Sequence, residues 1–421
     1  MARLAVIGAG GIGIEVALQA LERGLTVEVF EKGPTCAGVI EDWHFVQLFS
    51  TWSLNATPVG LNVLSKAGFA LPDESVYPTG REFIDTYLSP LAAEIEKHAN
   101  CRGFRYNTTV ISVGRGALLK GESIGGGDLK MPHNKPLCVR KRQETPFRLL
   151  LQEGSEERFS EEFDFVVDCS GSYGQAVQAN WCGLGGVPAL GERALRQSGR
   201  MFTAIPDVLG ANRSRFAGRR TMIVGAGYSA VTSLKYLTDL AQAEPGTSVV
   251  WLTRSGSSTP FTVIEDDVLP ARKQLCLFGN LVASQAVDHV TYLGGTAVSS
   301  VKEISGRLRV EVQSEGGSCI EEVDEMISCV GFHPDTSLYE ELQVHQCYAS
   351  NGPMKLAATL LGGSGDCLDQ VSAGADALKS PEPNFFILGS KSYGRNSAFL
   401  LKIGYQQVQE VLNDVAPAGK L

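Results

Sequence analysis

Two sets of residues in this chain have types and spacing suited to binding chemistry. The run Gly8-Ala9-Gly10-Gly11-Ile12-Gly13 fits G-x-G-x-x-G, and Gly225-Ala226-Gly227-Tyr228-Ser229-Ala230 repeats it with a closing alanine. Glycine at such spacing lets the backbone turn tightly and approach a ligand, so each run suits a pyrophosphate held against bare N–H groups. One further side chain completes each set. Glu31 is placed to take the ribose hydroxyls of an adenosine, and Arg254 to grip a 2′-phosphate that a carboxylate would repel. The competing reading of Arg254 is a plain solvated strand end, since Arg219 and Arg220 show that arginine is common nearby.

A lone glycine motif is a weak signal, so the elements that position it decide its worth. Arg3-Leu4-Ala5-Val6-Ile7 is a short apolar, β-branched run that predicts a buried parallel strand. A helix is predicted over Ile14 to Arg23 and capped by Gly24, and a second strand, Thr26 to Phe30, leads to Glu31. Gly8 then serves the tight turn, Gly10 the close approach of the phosphates, and Gly13 the packing of helix on strand. The second set follows the same order. Thr221 to Val224 is the strand, a helix runs through Ser233 to Leu237, and Ser248 to Thr253 is the strand that Arg254 ends. Two dinucleotide sites in one chain, one ending in an acid and one in an arginine, predict a redox flavoprotein with FAD at the first and NADPH at the second.

The rest of the sequence excludes more than it adds. The chain has 421 residues, 37 basic against 46 acidic, for a net charge of −9. That balance argues against nucleic acid or an anionic membrane as a general partner. Arg140-Lys141-Arg142, with Lys120, Lys130 and Lys135, sits among glycines and prolines and reads as an exposed loop. The most apolar stretch, Leu4 to Leu21, is interrupted by Glu15 and Gln19, so no membrane span is expected. No signal-peptide cleavage site follows it, and the ten scattered cysteines, without any C-x-x-C pair, read as reduced thiols of a cytoplasmic protein. The six histidines are far apart and suggest no metal site. Gly121-Glu122-Ser123-Ile124-Gly125 matches G-x-S-x-G but lacks the strand and helix a hydrolase elbow needs, and is read as a glycine-rich loop.

The order of motifs resembles the two-dinucleotide-binding-domain flavoproteins, and within them the flavin-containing monooxygenases. Phe104 to Val110 looks like the segment where a valine backbone (Val110) meets the FAD adenine. Phe163-Asp164-Phe165-Val166-Val167-Asp168-Cys169-Ser170-Gly171 looks like the acidic strand and glycine where the chain leaves the FAD domain. Val323 to Gly331, with Pro334, repeats it, and Asn384 to Gly389 resembles the last FAD-domain strand. Phe49-Ser50-Thr51-Trp52, then Tyr77 to Phe83 and a helix through Tyr87 and Leu88, is similar to the monooxygenases' order, as is Phe216-x-Gly218. The chain departs from the family in two places: Ile205-Pro206-Asp207 stands where a histidine is usual, and Gly389-Ser390 replaces Gly-Asp. Disulfide reductases need a redox-active cysteine pair beside the flavin; none is visible in this sequence, which nearly excludes that branch.

The implied fold is α/β, two Rossmann-like doubly wound domains. A discontinuous FAD domain, 1–172 and 336–421, receives an NADPH domain, 173–335, as an insert. The implied activity is NADPH-consuming oxygenation of a small molecule by O₂ through a C4a-peroxyflavin, of N-, S- or Baeyer–Villiger type. The alternatives are a reductase passing electrons to another acceptor and a non-catalytic redox sensor. FAD would rest on Gly8, Gly10, Gly13, Glu31, Val110, Gly171 and Gly389, and NADPH on Gly225, Gly227, Ala230 and Arg254. The flavin-lining candidates are Trp43, Phe49, Ser50, Trp52, Arg395 and Asn396, and the catalytic candidates His44, Lys391 and Tyr393. Ser390 to Ser397, ahead of a helix expected over Phe399 to Leu412, is read as functional, against the alternative of a helix cap with solvated charges. Ala357 to Leu378 suits a lid or plain packing. A homodimer is left open.

Overall fold

The computed structural model describes residues 1–121, 141–173, 178–285, 287–361 and 372–416. The chain divides into two compact units, Met1–Ser172 with His333–Leu421, and Tyr173–Phe332. The first unit resumes at His333, not 336. Phe332 stays with the second because it bridges to Ala179 and its ring lies 5.0 Å from that of Tyr173.

In the first unit β1 (Arg3–Ile7), β2 (Thr26–Phe30), β3 (Cys101–Arg105), β7 (Phe165–Asp168) and β16 (Phe385–Ile387), numbered along the whole chain, form a parallel sheet in the order β16-β7-β1-β2-β3. Alternation along β1 explains its two coverings. Leu4 and Val6 face the helices Gly11–Glu22 and Leu401–Val415, whereas Ala5 and Ile7 join Val113, Phe147, Leu149 and Leu151. The latter four belong to an antiparallel sheet of β4 (Thr108–Arg115), β5 (Phe147–Glu153) and β6 (Glu156–Phe159). With β2 on one side of β1 and β7 on the other, the order reverses at β1, which opens a crevice at the strands' carboxyl ends. The final helix runs Leu401–Val415, later than expected, because Asn396 caps the preceding turn by accepting from Ala398 N–H at 2.9 Å. Of the stretch from Ala357 to Leu378, the helices Met354–Leu361 and Ala375–Leu378 are described, and 362–371 lie outside the described residues.

The second unit is built the same way from its own strands. β8 (Met201–Phe202), β9 (Arg220–Val224), β10 (Ser248–Thr253), β11 (Val290–Gly294) and β15 (Glu325–Ser328) form a parallel sheet in the order β11-β10-β9-β15-β8. Ile223, Val249 and Trp251 face the helices Tyr228–Ala243 and Pro270–Ser284. Met222, Val224, Val250 and Leu252 face β12 (Ala297–Ile304), β13 (Arg307–Ser314) and β14 (Gly317–Val323). No helix among the described residues is long and apolar enough to cross a membrane.

The basic run at 140–142 is not simply an exposed loop. Arg142 is 2% exposed and pairs with Glu382 at 2.7 Å, and Arg115 takes the same carboxylate at 2.9 Å. One buried acid shared by two guanidiniums thereby ties the end of β4 to the turn leading into β16; Arg140, Lys130, Lys135 and all of the G-x-S-x-G run beyond Gly121 lie outside the described residues.

A second buried charge lies under the first glycine motif. Glu15, inside the Gly11–Glu22 helix, accepts from Gln19 at 2.6 Å and from the Thr57 hydroxyl at 2.9 Å, and Thr57 caps the helix Pro58–Lys66. Burial raises its carboxyl above the ordinary value, outweighing both hydrogen bonds. The folded state therefore binds this proton more tightly than the unfolded chain. The stability it contributes is complete below about pH 4 and is lost as pH rises through the raised value. Glu15→Gln keeps an acceptor for Gln19 without a charge to bury. We expect its melting temperature to exceed the parent's at pH 8 and to converge with it near pH 4; a difference that does not change with pH would refute the assignment.

Candidate functional site

Each unit presents one glycine cradle at its strands' carboxyl ends. In the first, Gly8 has φ +96° and donates to Phe30 O at 2.7 Å, and a Cβ there would lie 2.9 Å from Cys169 O. A Cβ on Gly13 would collide with the Gly8 carbonyl, so helix and strand meet at a distance only glycine permits. Gly10 is different: its backbone is extended and a Cβ would meet nothing within 4 Å. The helix begins there without a side-chain cap, and Ile14 makes the first return bond, to Gly10 O at 3.0 Å. The N–H groups of the first turn have no partner within the helix and lie at the positive end of its dipole, the arrangement that suits an anion.

Glu31 stands beside this turn and is nearly buried. Its Oε2 accepts from Ala9 N–H at 2.8 Å and its Oε1 from Gly33 N–H at 2.7 Å, so it braces the glycine loop as well as offering lone pairs to a ligand. The turn after β3 is brought to the same place: Asn107 (φ +53°) donates its N–H to Gly33 O at 2.8 Å and Thr108 N–H binds Glu31 O at 2.9 Å, whereas Val110, further along β4, packs partly buried on the cluster of Ala5, Ile7 and Phe30. Gly171 and Gly389, with φ of +70° and +75°, form the turns after β7 and β16. Gly389 N–H donates to Gln407 Oε1 at 2.9 Å, and a Cβ on Gly404 would strike Ile12, so the final helix also crosses the first at a glycine. Neither Gln407 nor Gly404 stands out in the sequence, because both act only through tertiary contact.

The second cradle repeats the geometry. Gly225 (φ +133°) packs on the Cys329 carbonyl, where no Cβ fits, and its own carbonyl accepts from Trp251 Nε1 at 2.8 Å. Ala230 is fully buried against it. Gly227 is extended, with nothing within 4 Å of a Cβ and no side-chain cap on its helix. Arg254 follows β10 directly and is exposed. No carboxylate of the described residues pairs with it, and the adjoining turn is closed by the hydroxyls of Ser255 and Ser257, which accept at 3.3 and 3.0 Å.

The remaining candidates are not brought together as one surface. Ser50 is spent on Asn55, donating to Oδ1 at 2.7 Å, and Trp52 is core, edge-on to Phe83 and Tyr87 at 5.9 and 6.5 Å; neither lines a ligand space. Phe49 packs partly buried on the same core. Trp43 lies against Gly80, where a Cβ would sit 3.1 Å from its ring. His44 is half-buried and its Nδ1 lies 2.9 Å from Glu41 O. A carbonyl only accepts, so that bond places the proton on Nδ1 and leaves Nε2 as an acceptor. Tyr393 is 1% exposed, edge-on to Phe399 at 5.4 Å, and burial pushes its hydroxyl up to about 12, so it stays protonated. Arg395 and Asn396 are exposed; Arg395 is turned to Asn351 Oδ1 at 2.8 Å. Lys391 is no free cation either. It is 1% exposed and paired with Asp168 at 2.7 Å.

Two thiols, Cys36 and Cys169, lie beside the first cradle. Cys36 precedes Ala37, whose N–H binds Ala9 O at 2.8 Å, and Cys169 follows Asp168. Burial raises both thiols, that of Cys169 well above its ordinary value, with the Asp168 charge adding to it.

No protein-family model and no curated protein matches the sequence. Solved structures do match in fold. A bacillithiol disulfide reductase from Bacillus cereus shares 16% identity over 99% of this chain and 98% of its own, with a TM-score of 0.66. An ornithine N-hydroxylase from Kutzneria sp. 744, solved with reduced FAD, NADP⁺ and L-ornithine, shares 15% over 98% of each chain, TM-score 0.59. A cadaverine monooxygenase from Erwinia amylovora, bound to FAD, shares 11% over 98% of this chain and 94% of its own, TM-score 0.61. These likenesses establish the α/β two-dinucleotide-domain flavoprotein fold over nearly the whole chain.

The glycines give a contrast that stability alone cannot mimic. Gly10→Ala and Gly227→Ala should leave unfolding within about 0.5 kcal/mol of the parent. Each should weaken only its own nucleotide, FAD and NADPH respectively, by at least about tenfold in titration. Gly13→Ala, despite the usual helical gain of roughly 0.5–1 kcal/mol, should destabilise the fold. Loss of both nucleotides from either single cradle variant would refute the assignment of one site per unit.

Proposed function

We propose that this chain is an FAD- and NADPH-dependent monooxygenase acting on a small nucleophilic substrate, with FAD in the unit Met1–Ser172 with His333–Leu421 and NADPH in the unit Tyr173–Phe332. The observation that carries the cofactor pairing is the pair of open, uncapped cradles ending in opposite charge. Glu31, buried and braced by two backbone N–H groups, suits ribose hydroxyls and repels a phosphate. Arg254, exposed and without an acidic partner among the described residues, suits a 2′-phosphate. When bound, the two cofactors supply hydride and a flavin competent to activate O₂, which is the demanding part of the chemistry.

The protein's own share is holding and shielding. The glycine turns would fix the phosphates, the Asn107 turn lies against the Glu31 end, and His44 would offer Nε2 to take a proton from an incoming substrate. Oxygen is favoured over a thiol–disulfide acceptor because Cys36 and Cys169 are held as neutral thiols, whereas disulfide chemistry runs through a thiolate. The fold likeness to a bacillithiol disulfide reductase supports a second reading, electron transfer to a non-oxygen acceptor.

Oxygen consumption separates the two. With FAD-loaded protein and NADPH, a panel of primary amines, thioethers and ketones should contain a compound that speeds NADPH oxidation and gains one oxygen atom from ¹⁸O₂. Amines head the panel because two of the fold neighbours are an ornithine N-hydroxylase and a cadaverine monooxygenase. Turnover that continues anaerobically with a low-molecular-weight disulfide, and no ¹⁸O in any product, would replace the monooxygenase by the reductase.

Arg254→Glu tests the phosphate grip. It should weaken NADPH by about 10- to 100-fold in KM, the scale of one lost charge-assisted pair, and leave NADH within about twofold. Equal losses for both would remove Arg254 from the site.

A further inference from the structure

Lys391 is a lysine almost without solvent, 1% exposed, next to an aspartate with none. Burying such a pair rarely adds net stability, since apolar residues of similar volume serve as well or better, while removing one partner strands the other charge. The position of the pair is informative. Asp168 ends β7, and Lys391 lies in the turn Gly389–Tyr393 after β16; the two strands are neighbours, and Leu388 N–H binds Asp168 O at 3.0 Å. The ammonium sits 2.7 Å from Asp168 Oδ2 and donates to Ser170 Oγ at 2.9 Å. Its remaining side faces the Tyr339 ring, 5.3 Å from the centroid.

Ser170 closes the circle. Its hydroxyl donates to Asp168 Oδ1 at 2.7 Å, and its N–H reaches the same oxygen at 3.0 Å. Ser170 Cα is also the wall behind Gly8, 3.0 Å from where a Cβ would stand, and Gly8 opens the first cradle. A line of direct contacts therefore runs from Lys391 through Ser170 to the phosphate turn. We propose that Lys391, Asp168 and Ser170 form a latch that sets the Ser170–Gly171 turn against Gly8, making Lys391 a positioning residue for FAD rather than a catalytic one. This rests on the reading that the first unit binds FAD.

Full-length variants test it by comparing the melting temperature of the FAD-free protein with FAD affinity and the bound flavin's visible spectrum. Lys391→Met leaves Asp168 buried and unpaired, so both stability and affinity should fall. The double variant Lys391→Met with Asp168→Asn removes both charges. It should recover most of the melting temperature yet bind FAD at least about tenfold more weakly, with a shifted flavin spectrum. Ser170→Ala keeps the ion pair and the Ser170 N–H bond to Asp168 and deletes the hydroxyl's bonds to Lys391 and Asp168. It should keep the parent melting temperature and lose several-fold in FAD affinity. Should the double variant fold poorly, Ser170→Ala decides alone. Parent-like FAD affinity in either folded variant would overturn the latch. A parent protein that takes up no FAD would instead overturn the reading on which it rests.

Discussion

A contact between bare backbones governs the first unit: Gly13 lies so close to the Gly8 carbonyl that no side chain fits between them. Gly225 against the Cys329 carbonyl plays the same part in the second. Such an approach drives a helix N-terminus up to the end of a strand and leaves its first N–H groups unanswered. Unanswered N–H groups would be costly if buried, so the chain opens at Gly10 and at Gly227, where nothing stands within 4 Å of a Cβ. Tight packing on one glycine and emptiness on the next are two consequences of one constraint. They give a strand-to-helix connection the backbone geometry that suits an anion without any basic side chain.

That constraint is why the fold was legible in the sequence. Alternating burial along a short strand, glycines at fixed intervals and a following helix are local properties, and β1, β2, β9 and β10 fall where the pattern predicts them. Helix ends were less legible. The helix after Gly10 begins at Gly11, and the last begins at Leu401. Glycine residues and capping polar groups there obey the ligand space and neighbouring turns more than helix propensity.

Side chains whose role depends on distant partners were hidden. Ser50 and Trp52 look in sequence like a polar–aromatic surface, but Asn55 satisfies the one and Phe83 with Tyr87 enclose the other. Arg142 belongs to a run that reads as loop, yet Glu382, far along the chain, draws it inside. Lys391 reads as a cation looking for an anion and has already found one in Asp168. In each case a polar group that local sequence leaves free is claimed by a partner brought up by β7, β16 or the helical segment between β2 and β3. A polar residue near a motif is therefore weaker evidence of catalysis than a glycine within it.

The distribution of charge then divides the labour between chain and ligands. Around the first cradle Lys391 is paired with Asp168, and burial raises the thiols of Cys36 and Cys169 and the Tyr393 hydroxyl, while the Glu31 carboxylate is held by two backbone N–H groups. Such a surround offers little acid–base or thiolate chemistry of its own. It does offer a firm, poorly hydrated wall, which strengthens the field of any charge brought into the site. Reactivity must then come from what is bound, and selectivity from single positions at the cradle ends. On the proposed assignment, a carboxylate at 31 and a guanidinium at 254 are what would distinguish two otherwise similar scaffolds toward different nucleotides. Duplicating one backbone solution and changing its terminal charge is a shorter route to two distinct sites than building either from side chains.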